Sequence, residues 1–194
     1  MRVRLLLAGL MVSCIQSPAV VFESELWPEE GRPAFEAASD TLVLREAPLP
    51  SAAVARTMPV HRGTPILFDS TRFQTLEPGQ FRVLTDTVLV GRNLGPTRYL
   101  AVSDYYSGRF QREHRRVTAG ETIEYLQYRA EGTCFVRVGG AVFEAEQCPL
   151  FQPALYELAH EPTVDWWIRV VVEGEPRGWL RVEETAVREV DRLF

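Results

Sequence analysis

Phe135–Ala145 reads FVRVGGAVFEA. Two alternating runs flank Gly139-Gly140, and such a pair suits a two-residue hairpin turn, which needs positive φ. Pairing Val138 with Ala141 sets Val136 opposite Phe143 and Cys134 opposite Ala145. All six side chains then share one apolar face. The same alternation, cut by turn residues, recurs in TLVLRE, TPILFD, QFRVLT, ETIEYLQY, TCFVRV, AVFEAE, WWIRVVV and GWLRVE. The 13 Gly and 13 Pro supply the breaks. The chain is therefore predicted to be all-β, folded as small barrels. Helix signals are few. FQPALYELAH is one candidate, and VEETAVREVDRLF, with Ala186, Val187, Val190 and Phe194 on one face, allows a short C-terminal helix.

Cys134 and Cys148 are expected to form a disulfide in an oxidising compartment. Cys148 lies three residues past the partner of Cys134, so the chain must bulge or turn back at Glu146-Gln147. Two cysteines without His or Cys neighbours do not make a zinc site.

The compartment is argued from the start of the chain. Arg2 and Arg4 precede an apolar run, Leu5–Val12. That run has signal-peptide length and is too short to span a bilayer. Met11-Val12-Ser13-Cys14 has the form of a lipobox, which would make Cys14 the lipidated residue. Ser17-Pro18-Ala19 is the rival cleavage site and would discard Cys14. The lipobox is the preferred exit, and it predicts an exported, membrane-anchored lipoprotein. The alternative is a soluble periplasmic or extracellular protein. Residues 1–19 are thus taken as the leader and 20–32, VVFESELWPEEGR, as a tether.

All 21 basic residues are Arg, against 26 acidic ones, a net charge of -5. This balance disfavours nucleic acid as a partner, because phosphate neutralisation needs positive charge. An internal echo is also present. Val60-x-x-Gly63-x-x-Ile66-x-Phe68 recurs as Val117-x-x-Gly120-x-x-Ile123-x-Tyr125, and its spacing suits two small barrels.

Leu42, Leu44, Arg45, Pro48, Ser51, Val54, Gly63, Thr64 and Ile66 resemble the opening of a bacterial SH3-like (SH3b) domain. Trp166, Trp167, Val170, Gly178, Trp179 and Leu180 resemble its closing Trp strand and Gly-Trp pair. The two signatures lie about a hundred residues apart, more than one such module spans. The resemblance therefore implies two modules in tandem, at 33–94 and 95–194. The first would lack its closing pair, with QFRVLTDTVLVG in that place. The second would carry the Cys134–Cys148 hairpin as an insertion. Such modules bind peptides, proteins or cell-wall components. The resemblance thus implies a non-catalytic envelope binding or scaffold protein, whose partner is an envelope protein or a peptidoglycan component.

Two surfaces are candidates for that partner. Tyr105 and Tyr106 sit in an apparent turn, Asp104–Gly108. Adjacent strand residues face opposite ways, so one of Trp166 and Trp167 is expected in the core and the other at a ligand or against a neighbouring segment. RFQREHRR carries Arg109, Arg112, Arg115 and Arg116. These could grip a phosphate or carboxylate, or be a solvated strand pairing with the surplus acids. His61, His114 and His160 fall in no metal or nucleophile motif, and no cofactor is expected. An envelope enzyme with an unrecognised cleft remains the alternative.

Overall fold

The computed structural model describes residues 19–27 and 33–190. Residues 1–18 of the expected leader, Cys14 among them, residues 28–32 of the expected tether and the last four residues lie outside them. More than half of the described residues lie in strands, and helix is confined to one four-residue turn and one 3-10 turn. Its first part runs β1 (Phe22–Ser24), β2 (Phe35–Ala37), β3 (Thr41–Arg45), β4 (Val54–Pro59), β5 (Pro65–Ile66) and β6 (Phe68–Glu77). Next come β7 (Gly79–Val83), β8 (Thr87–Gly95), β9 (Tyr99–Leu100), the single turn α1 (Val102–Tyr105), β10 (Gln111–Val117) and β11 (Thr122–Tyr128). The remainder is β12 (Cys134–Val138), β13 (Ala141–Ala145), β14 (Tyr156–His160), β15 (Thr163–Val172), β16 (Glu175–Arg181) and β17 (Val187–Glu189).

Three sheets result. The first has the order β4-β3-β16-β15-β6-β1-β9, the second β10-β8-β13-β12-β11-β7-β14, and the third β17-β2-β5. The chain passes from β5 to β6 through Leu67 alone, so the first and third sheets are two parts of one unit. Tracing that unit gives β4-β3-β16-β15-β6/β5-β2-β17. The second sheet gives β10-β8-β13-β12-β11-β7-β14. The two orders correspond strand for strand, in space and along the chain.

The sequence echo is the local signature of this repeat. In one unit Thr64 N–H donates to His61 O and Gly63 N–H to Ala37 O. In the other Glu121 N–H donates to Thr118 O and Gly120 N–H to Val83 O. Gly63 and Gly120 both take positive φ, +81° and +90°, which explains glycine at each. Phe35 pairs with Ile66 as Phe81 pairs with Ile123.

The units are nested in the chain. The second, residues 79–160, lies between β6 and β15 of the first. The boundary expected at 94/95 falls inside β8. Because Trp179 on β16 pairs with Arg45 on β3, the opening and closing signatures meet in one sheet. QFRVLTDTVLVG instead supplies β7 and the start of β8. The expected tether also differs. Phe22 is fully buried, and β1 lies between β6 and β9. Where a terminal helix was allowed, Val187 pairs with Ala37 and packs into the first unit's core, so tertiary pairing overrides local periodicity. FQPALYELAH likewise forms no α-helix: a 3-10 turn, Pro149–Phe151, ends at its first residue, and β14 follows.

Each unit wraps its own apolar core. Phe81, Ile123, Val136 and Phe143 fill the second unit, and Phe35, Leu42, Leu44 and Ile168 the first. Among the described residues hydrogen bonding closes neither unit into a full barrel. Phe22, Leu126 and Phe135 form a third cluster that joins the two units, helped by Thr75 Oγ1 donating to Leu126 O. The hairpin has the register read from the sequence: Val138 with Ala141, Val136 with Phe143, Cys134 with Ala145. After Ala145 the chain turns back, Cys148 N–H donates to Gly132 O, and the Cys134–Cys148 disulfide forms with its Cα atoms 5.2 Å apart.

Candidate functional site

Strand alternation sorts the expected site residues. On β15, Trp166, Ile168 and Val170 face the first unit's core side. Trp167 faces the other way and is 1% exposed. Trp166 is half-buried, with ring centroids 5.4 Å from Trp27 and 5.1 Å from Phe73. It packs against the N-terminal segment. The Trp167 face carries alternating arginines and aromatics. The Arg72 guanidinium lies 5.5 Å from the Tyr99 ring and 5.3 Å from the Trp179 ring, and Arg169 lies 5.9 Å from Trp179. Glu23 and Glu25 pair with Arg72 at 3.0 and 2.6 Å, and Asp69 takes two bonds from Arg169.

This face is electrostatically self-contained. Burial opposes ionisation of Glu25, but hydrogen bonds from Tyr99 and the Val102 amide, with the Arg72 charge, outweigh it and hold its pKa below the ordinary value. The bond from Arg169 does the same for Asp69. No sequence motif marks Tyr99, Trp27 or Arg72. The one available signal was alternation in TRFQT, which puts Arg72 and Gln74 on one face.

Tyr105 and Tyr106 are brought together, with ring centroids 4.9 Å apart. Tyr106 is 69% exposed. Tyr105 is held in place: its hydroxyl donates to Glu144 Oε1 at 2.5 Å, and Arg92 lies 4.1 Å over its ring. Arg92 also donates to the Glu144 carboxylate, which is itself buried. Tyr105 thereby pins α1 to β8 and β13. Burial, then the bond to Glu144, pushes its pKa up to about 12. A pKa raised above the ordinary 10 means stability that is complete below pH 10 and lost as pH rises through the folded value. The wild-type protein should therefore lose thermal stability between pH 10 and 12 more steeply than Tyr105→Phe, as melting curves across that range would show.

The arginine run forms most of β10, an edge strand, with Arg109 just ahead of it. Arg112 makes two bonds to Glu146, and Arg109 pairs with Asp104 at 3.0 Å. The Arg115 guanidinium lies against Gly139 at the hairpin tip, and Arg116 stands opposite Val88. Charge along an exposed edge blocks pairing with another strand.

The matching edge, β4, is different. It reads VARTMP, and Val54 is exposed. Leu42–Met58 in the first unit corresponds to Leu89–Arg115 in the second. Where Arg115 reaches across to Gly139, Met58 leaves a groove of about 400 Å³. Met58, Val60, Ile66, Leu67 and Val172 line it, with His61 at the rim. Leu67 is 62% exposed. His61, His114 and His160 lie on separate elements. Among the described residues no three His, Cys, Asp or Glu side chains are grouped to hold a metal ion, and no helix is long and apolar enough to cross a membrane. Comparison with protein-family models, curated proteins and solved structures finds no match.

Proposed function

We propose that the protein is a non-catalytic docking module of the cell envelope, built on two SH3-like units, that takes an extended segment of a partner protein on β4. One contrast carries this reading. The two units share a strand order, yet β10 carries Arg112, Arg115 and Arg116 while β4 carries Arg56 alone and borders an open apolar groove. A strand added to β4 would gain backbone hydrogen bonds from the edge, and its alternate side chains would enter the groove. Export accords with the disulfide, which oxidising compartments favour. Anchoring through Cys14 belongs to the same proposal.

Leu67→Glu tests it without touching the core. The variant should melt as the wild type does and lose at least about tenfold in affinity for the protein that co-purifies with the wild type. Unchanged affinity, or retention on purified peptidoglycan in place of a protein partner, would contradict the reading.

A further inference from the structure

We infer that the end of the second unit where the chain enters the fold faces the membrane, and that the β4 groove points away from it. This rests on the lipid-anchored reading above. The chain has little slack. From Cys14 to Ala19 is five residues, at most about 18 Å even when fully extended. Beyond that point the chain is fixed. Val21 N–H donates to Thr75 O at 2.8 Å, Arg137 donates to Val21 O, and Phe22 is buried.

The entering residues are flanked by two loops. Ala19, Val20 and Val21 line a shallow depression with Pro96, Arg98 and the hairpin-tip Gly140. An acylated Cys14 would therefore hold the Pro96–Arg98 loop and the hairpin tip close to the lipid headgroups. Arg98 is exposed there, a charge suited to an anionic surface. The groove lies at the other end. Phe22 pairs with Thr75, and Leu67 is eight residues back along that strand, about 26 Å away at strand rise. β1 itself runs from Thr75 toward that far end, so the anchor lies on the opposite side. A partner could then reach β4 without competing with the bilayer.

With Cys14 acylated and Cys134–Cys148 oxidised, one introduced cysteine is the only free thiol. Pro96→Cys and Leu67→Cys are each labelled with a fluorophore on the full acylated chain. The chain is placed in phosphatidylethanolamine–phosphatidylglycerol vesicles containing headgroup-spin-labelled lipid. The label at 96 should be quenched at least about threefold more than the label at 67. Equal or reversed quenching, on protein whose intact mass shows the acyl chains, overturns the orientation and leaves the anchor standing. An intact mass without acyl chains overturns the anchor, and the orientation with it.

Discussion

Trp167→Ala should destabilise the protein by about 3–5 kcal/mol, the range for removing a large aromatic from a packed site. Among the described residues Trp167 is the largest fully buried side chain. It sits mid-strand on β15, opposite Arg72 of β6 and Arg181 of β16. Its removal would leave a void beneath both guanidinium groups and beside Asp165, whose carboxylate is buried and takes its bonds from Arg181. Trp167→Phe should cost much less, because the indole N–H is buried without a hydrogen-bond partner and its loss strands nothing. Trp166→Ala should fall between, since that ring is half-buried among Trp27 and Phe73. Urea unfolding of the three variants gives the ranking. A cost below about 1 kcal/mol for Trp167→Ala would show that this face is not packed as described.

Removing the disulfide has the second large effect. Cys134→Ala with Cys148→Ala should cost about 2–5 kcal/mol, of which chain entropy for a loop of about 15 residues supplies about 3. Both cysteines are fully buried in the second unit's core. The bond fixes the segment that leaves β13 and leads to β14 at that unit's far edge. Since the second unit interrupts the first, loosening it also frees the ends that β6 and β15 must bring together. The loss should therefore appear in both units at once, as a single shifted unfolding transition. Reductant should shift the wild type in the same direction and leave the double variant unchanged.

What the sequence disclosed follows the range of each interaction. The hairpin at 135–145 was legible to its register, because a Gly-Gly turn and period-2 alternation are local. The turn glycines at 63 and 120 were legible for the same reason, and they mark a real repeat of topology. The pairing of β3 with β16 was not, because its partners are more than a hundred residues apart and no local rule selects them. Hence spacing along the chain assigns the opening and closing signatures to different modules. Val187 illustrates the converse: its spacing suited a helix face, yet β2 offered an unpaired edge and won. The arginine run was visible as charge, but only its position at a sheet edge shows what the charge does there. The β4 groove left no motif at all. It emerges from setting Met58 beside Arg115, a comparison that requires the two units to be superposed.

β4 is the proposed docking edge. A photo-crosslinking residue placed at Thr57 on β4, or at His114 on β10, would test this in intact envelopes. Docking on β4 predicts one defined adduct from position 57, abolished by Leu67→Glu, and none from position 114. An adduct from 114 alone, or equal adducts from both edges, would contradict it.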